Sequence, residues 1–120
     1  MAAASQVLTG IVAFFHVYFL AVEMFLWTTP FGQKTFKRTR EEQEQTKILA
    51  ANQGLYNGFL AAGLVWSYFA TAGAFEIRVF FLVCIVIAGL YGAATAAKTI
   101  LFVQAIPAAA ALAFTLLAHN

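Results

Sequence analysis

The chain has 120 residues, 62% of them hydrophobic and 10% charged, with a formal net charge of +2. A soluble domain carries charge on about a quarter of its residues, so this composition excludes an ordinary water-soluble fold. The small net charge, with most basic residues gathered in one segment, excludes an electrostatic nucleic-acid binder, and the single cysteine, Cys84, excludes an intrachain disulfide.

Long apolar runs with short breaks read as four membrane-spanning helices, each near the ~20 residues needed to cross the hydrocarbon core. The first is expected from about Ser5 to Thr29, ending before Pro30 and Gly32. It has neither the basic leader nor the small-residue cleavage site of a signal peptide, and its apolar run is too long for one. On a helical wheel Thr9, His16, Glu23 and Trp27 share a narrow stripe, while Tyr18 faces almost the opposite way. His16 and Glu23 are separated by about 10 Å along the axis. That is too far to ligate one metal or to share a direct hydrogen bond.

A charged segment, residues 31–46, follows with Lys34, Lys37, Arg38, Arg40, Glu41, Glu42 and Glu44. Its "REEQEQTK" part has the composition to extend the second helix into water. The second span is expected from about Lys47 to Ala70. It places Asn52, Gln53, Tyr56 and Asn57 on one broad face and Gly54 and Gly58 on another, a G-x-x-x-G that permits close helix contact. The third, from about Glu76 to Ala97, offers Tyr91 beside Cys84 and Thr95, and a small-residue ladder of Ala88, Gly92 and Ala96. The fourth, from about Lys98 to Ala118, offers Gln104 and Thr115 on an alanine face, with Pro107 expected to kink it near Val103. In a four-span topology Lys34, Lys37, Arg38, Arg40, Lys47 and Lys98 fall on one side and Arg78 alone on the other. Basic residues favour the cytoplasm, so residues 31–46 are expected inside and both termini outside.

Counted from the cytoplasmic ends, Glu23, Asn52, Gln53, Tyr91 and Gln104 fall at nearly the same depth, with His16 nearer the midplane. A buried amide taken alone is commonly interhelical glue worth about 1 kcal/mol or less. An ionisable residue within a span costs about 3 kcal/mol or more and usually marks a pathway or a site. The pattern predicts an interior pocket in which Glu23 and His16 are the candidate acid/base groups. Trp27, Asn52, Gln53, Tyr56, Asn57, Tyr91 and Gln104 are the candidate ligand-binding groups. No Cys/His cluster calls for a metal, and no cofactor motif is visible.

The stretches "HVYFLAVEMFLWTTPFGQKTF", "TKILAANQGLYNGFLAAGLVW" and "YGAATAAKTILFVQAIPAAAAL" resemble a bacterial family of small four-helix membrane proteins, domain of unknown function thirteen-zero-four. The family pattern falls on His16, Glu23, Trp27, Pro30, Asn52, Gln53, Tyr56, Asn57, Gln104 and Pro107. The resemblance implies an all-α, polytopic, four-helix transmembrane bundle of the bacterial cytoplasmic membrane. It implies the same polar site and carries no activity. Three functions are open on this sequence. The pocket could bind a small amphiphilic ligand, with isomerase-like acid/base catalysis at Glu23. The chain could be a proton-coupled transporter, since its length, four spans and first-helix glutamate resemble the small multidrug resistance transporters in architecture. It could also be an accessory subunit of a larger membrane complex or homo-oligomer, with Glu23 paired to a basic group on another chain.

Overall fold

The computed structural model describes residues 2–119, and the regular elements among them are all helical. Helix α1 spans Ala2–Phe25, α2 Pro30–Phe36, α3 Arg40–Phe69 and α4 Ala74–Thr95; a π-helical turn, Leu101–Ala105, runs directly into α5, Ile106–His119. α1, α4 and the continuous Leu101–His119 segment are each long and apolar enough to cross a membrane. α3, at 30 residues, is longer than any of them. It falls short in apolarity, because its first turns carry Arg40, Glu41, Glu42, Glu44 and Lys47, and Asn52, Gln53 and Asn57 follow. Among the described residues three helices, rather than four, therefore meet the requirement on length and composition alone.

The segment expected as a loop over residues 31–46 contains ordered structure. Pro30 opens α2 at its first turn, where a missing N–H is harmless and the fixed φ favours the helix. The Thr29 hydroxyl caps that turn by accepting from the Gly32 N–H at 3.3 Å. α2 ends at Lys37, whose φ of 54° is left-handed. α3 then begins at Arg40, so the "REEQEQTK" stretch does extend the helix. Its start is a reciprocal capping box: Thr39 N–H donates to Glu42 Oε1 at 2.8 Å, and Glu42 N–H donates to Thr39 Oγ1 at 3.1 Å.

These hydrogen bonds, the backbone one from Thr39 first, hold the Glu42 carboxyl below its ordinary value. A carboxyl with a depressed folded pKa adds stability that is complete above its unfolded pKa and is lost as pH falls through the folded one. Hydrogen-exchange protection of the first turn of α3 should therefore decline on acidification from about pH 6 to about pH 3. In Glu42→Gln that decline should be largely absent. A decline equal to wild type in the variant would assign it to other groups.

The chain divides into two compact units, one comprising residues up to Phe15 with those from Leu60 onward, the other His16–Phe59. In the first, Val12 of α1, Leu64 of α3, Leu82 and Ile85 of α4, and Ala108 and Ala111 of α5 form a buried core. The alanines let helix backbones approach closely, as membrane helices require when no hydrophobic force distinguishes a neighbour from lipid. Of the two glycines on α4, Gly89 is the more tightly packed: a Cβ there would lie 2.7 Å from the Ala105 backbone nitrogen. The expected ladder of Ala88, Gly92 and Ala96 is thus corrected: Ala88 and Ala96 are exposed, and Gly92 meets the Ile100 side chain. The disturbance expected from Pro107 is the π turn. There the Ile106 N–H bonds to the Leu101 carbonyl, five residues back. The wider turn covers Val103, whose carbonyl a proline at position 107 would crowd and leave without a donor in a regular α-helix.

Candidate functional site

The His16–Phe59 unit brings the end of α1 against α3. On the α3 side the contact is made at Gly54, where a Cβ would meet Met24 Cγ at 2.8 Å, Glu23 Cβ at 3.1 Å and the Leu20 carbonyl at 3.2 Å. The glycine face expected to pack is thus the one against the Glu23 turn. Three residues further along α3, Asn57 is buried and its Nδ2 donates to Glu23 Oε1 at 2.6 Å. This short hydrogen bond holds the Glu23 carboxyl in one orientation.

Beyond Glu23 the chain leaves the helix at Phe25 and turns. Trp27 is pinned at three points in that turn. Its indole N–H donates to Thr46 Oγ1 at 3.1 Å, its carbonyl accepts from Gln43 Nε2 at 2.9 Å, and its ring packs on Phe36 with centroids 4.7 Å apart. Gln43, Thr46 and Lys47 fall one turn apart on a single face of α3. A cavity of about 320 Å³ opens at this place, lined by Glu23, Met24, Phe25, Trp27, Thr28, Lys47, Ile48 and Ala51. Its walls are mostly apolar, with Glu23, Thr28 and Lys47 as the polar groups, which is the usual composition of a ligand pocket, at the small end of the size range.

The sequence-derived set divides on this geometry. Glu23 and Asn57 are brought together, and Trp27 lines the same cavity as Glu23. His16 belongs to the same unit, fully buried with its ring edge-on to Phe19 at 5.2 Å, and does not line the cavity. Asn52, Gln53 and Tyr56 occupy an exposed face of α3, where Tyr56 packs edge-on to Phe59. Tyr91 and Gln104 belong to the other unit; Tyr91 is 72% exposed, and Gln104 is half-buried in the π turn.

A family model described as "Protein of unknown function (DUF1304)" matches residues 10–116. The chain belongs to the DUF1304 family. It is also 31% identical over 100 residues to "Uncharacterized protein YpaA" of Lactococcus lactis subsp. lactis (strain IL1403), over 82% of this chain and 84% of the relative. No solved structure matches it. The stretch matched by the DUF1304 model contains Glu23, Trp27, Asn57 and all the residues that line the Glu23 cavity.

Two groups of polar residues in this DUF1304 chain lie outside the sequence-derived set. Gln43 is fully buried and holds the Trp27 carbonyl. The signal for it is slight: a glutamine one turn before Lys47 in a strongly charged stretch reads as solvated. The second group, in the other unit, joins Ser5, Ser67, Arg78 and Thr115, all buried. Arg78 reads from sequence as the one basic residue at the far end of the bundle. Its burial depends on serines from two other helices, which no periodicity within α4 reveals.

Proposed function

We propose that this protein is a four-span bundle of the bacterial cytoplasmic membrane, with α3 as its polar fourth span, and that it binds a small amphiphile at Glu23. The observation that carries this reading is the Asn57–Glu23 bond beside a mostly apolar cavity. A carboxyl group in an apolar helix is expensive, and such residues usually mark a site. Asn57 supplies one donor and leaves Glu23 Oε2 for a ligand. An amine or hydroxyl head would donate to that oxygen, its apolar chain would lie along Met24, Phe25 and Ile48, and Glu23 would exchange a proton with the head group. Trp27, held at its indole, its carbonyl and its ring, forms a rigid wall for the head.

Decylamine titrated into the purified protein in a neutral detergent tests the reading. The melting temperature should rise saturably with decylamine and stay level with decane. A flat response to decylamine between about pH 5 and about pH 9, the range over which carboxylates and amines exchange protons, would overturn it.

Orientation is tested separately. In a Cys84→Ala background, cysteines placed at Thr35 and at Asn120 should label from opposite faces of intact cells, Thr35 from within. Thr35 sits in α2 among the basic residues that favour the cytoplasm, and Asn120 lies outside the described residues. Labelling of both from outside rejects the topology.

A further inference from the structure

We propose that a second cavity, built around Arg78, binds a carboxylate or phosphate anion. This cavity, also of about 320 Å³, lies within the unit that contains α4 and α5, and Ser5, Ser67, Tyr68, Arg78, Thr115 and His119 are among its lining residues.

Arg78 is only 8% exposed. Its Nε donates to Ser67 Oγ at 3.0 Å, its Nη1 makes a long contact with Ser5 Oγ at 3.5 Å, and its guanidinium carbon lies 4.4 Å from the centre of the Tyr68 ring. Tyr68 is itself tied down, its hydroxyl donating to the Gln6 carbonyl. Ser5 and Thr115 share a hydrogen bond of 2.6 Å, and Thr115 also donates back to Ala111. Each neighbour of the guanidinium is thus held by a second contact; Ser67, whose hydroxyl donates to the Leu64 carbonyl at 2.6 Å, must present a lone pair to Arg78. The two serines take the Nε donor and one Nη1 donor and leave the Nη2 donors for a ligand.

Charge balance points the same way. The two ion pairs formed among the described residues are Arg38–Glu42 and Lys47–Glu44, both far along the chain from Arg78. No carboxylate among the described residues reaches its guanidinium. A guanidinium has five N–H donors, of which Ser67 and Ser5 take two. A buried cation whose partners are two serines and an aromatic face, with no opposite charge, is costly in an apolar chain, and an anion that completes the fork offsets that cost. An arginine near a helix end could instead snorkel toward lipid phosphates. Arg78 turns the other way, into the hydroxyl cluster, so the anion must come to it. Planar, forked donors suit a carboxylate or a phosphate bidentately. The same head-group chemistry is available from a soluble anion or from an anionic amphiphile.

The test uses the full chain in dodecyl maltoside, followed by its melting temperature. The probes are acetate and inorganic phosphate as free anions, decanoate and decyl phosphate as chain-bearing anions, and decanol as the neutral control. At least one anion should raise the melting temperature saturably, and decanol should not. A shift from the free anions assigns a soluble ligand; a shift confined to the chain-bearing anions assigns a lipid head group. Arg78→Lys keeps the charge and loses the fork, and should weaken the effective anion by about tenfold. Lys98→Gln, an exposed charge elsewhere on the chain, should not change it. If Arg78→Lys does not fold, Ser67→Ala decides, because it removes the contact that fixes Nε, lets the guanidinium swing, and should weaken the anion several-fold. No saturable shift with any anion, or equal affinity in wild type and in whichever variant folds, overturns the proposal.

Discussion

Glu23→Gln is expected to fold and to melt at or slightly above the wild-type temperature while losing the decylamine response. Glutamine keeps the shape of the side chain and an oxygen that can accept from Asn57 Nδ2. It also removes the burden of burying a charge in an apolar helix. What it cannot do is exchange a proton or attract a cationic head, so the pH-dependent part of binding disappears. Asn57→Leu separates the two contributions. Asn57 is 7% exposed, and its loss strips the carboxylate of its one donor from α3. Leaving a partly buried acceptor without its partner should lower stability by about 1–3 kcal/mol. Melting curves of both variants, with and without decylamine, read the two effects together. If Glu23→Gln unfolds, the carboxylate is a structural partner and the accessory-subunit reading gains. If it is stable and responds to decylamine as wild type does at each pH, Glu23 is not the working group.

Gly89→Val should be among the most damaging single changes in the chain. A Cβ at Gly89 would lie 2.7, 2.8 and 2.9 Å from the N, Cα and Cβ of Ala105. Two of those atoms are backbone, in the π turn ahead of Pro107, and cannot rotate aside. Relief requires α4 to move from that turn and disturbs Ile85 and Ala108 in the core nearby. Overpacking of this kind typically costs about 3 kcal/mol, or a fall of about 10 °C in melting temperature. Gly73→Ala is the contrasting variant. Gly73 has a φ of 75° with nothing within 4 Å of its would-be Cβ. The loss there is conformational only, about 1 kcal/mol. Equal melting temperatures for Gly89→Val and wild type would mean that α4 and the π turn do not meet as described.

Several features of the fold are legible along the chain because they depend on near neighbours in sequence. The apolar runs announce α1, α4 and the final helix. The polar-charged stretch before Ile48 extends α3, and Pro107 marks where the last helix departs from regular geometry. The stripe of Thr9, His16 and Glu23 with Tyr18 opposed also follows from helical period, and Tyr18 is exposed while Thr9 and His16 are buried; Trp27, expected on the same stripe, lies past the end of α1 at Phe25. Pro30 shows the limit of such signals. The same residue ends one helix and opens another, and only the Thr29 cap on the following turn tells that α2 forms.

The sequence by itself determined that this chain is helical and of membrane type, which residues of each helix share a face, and that a glutamate sits in the first apolar run. Tertiary structure decided which of those polar residues meet. Asn57 reaches Glu23, whereas Asn52, Gln53 and Tyr56 lie on the exposed face of the same helix. Gly89, one position from the expected ladder, packs against the Ala105 backbone, and Arg78 is drawn inward by serines from α1 and α3. The physical reason is that helical period specifies a face, while meeting a partner also requires an axial register and a crossing angle. A slide of one residue, about 1.5 Å, changes which side chains oppose each other. That register is set by the fit of glycines and alanines into the neighbouring backbone, a property of the packed helices together and of no one stretch of sequence.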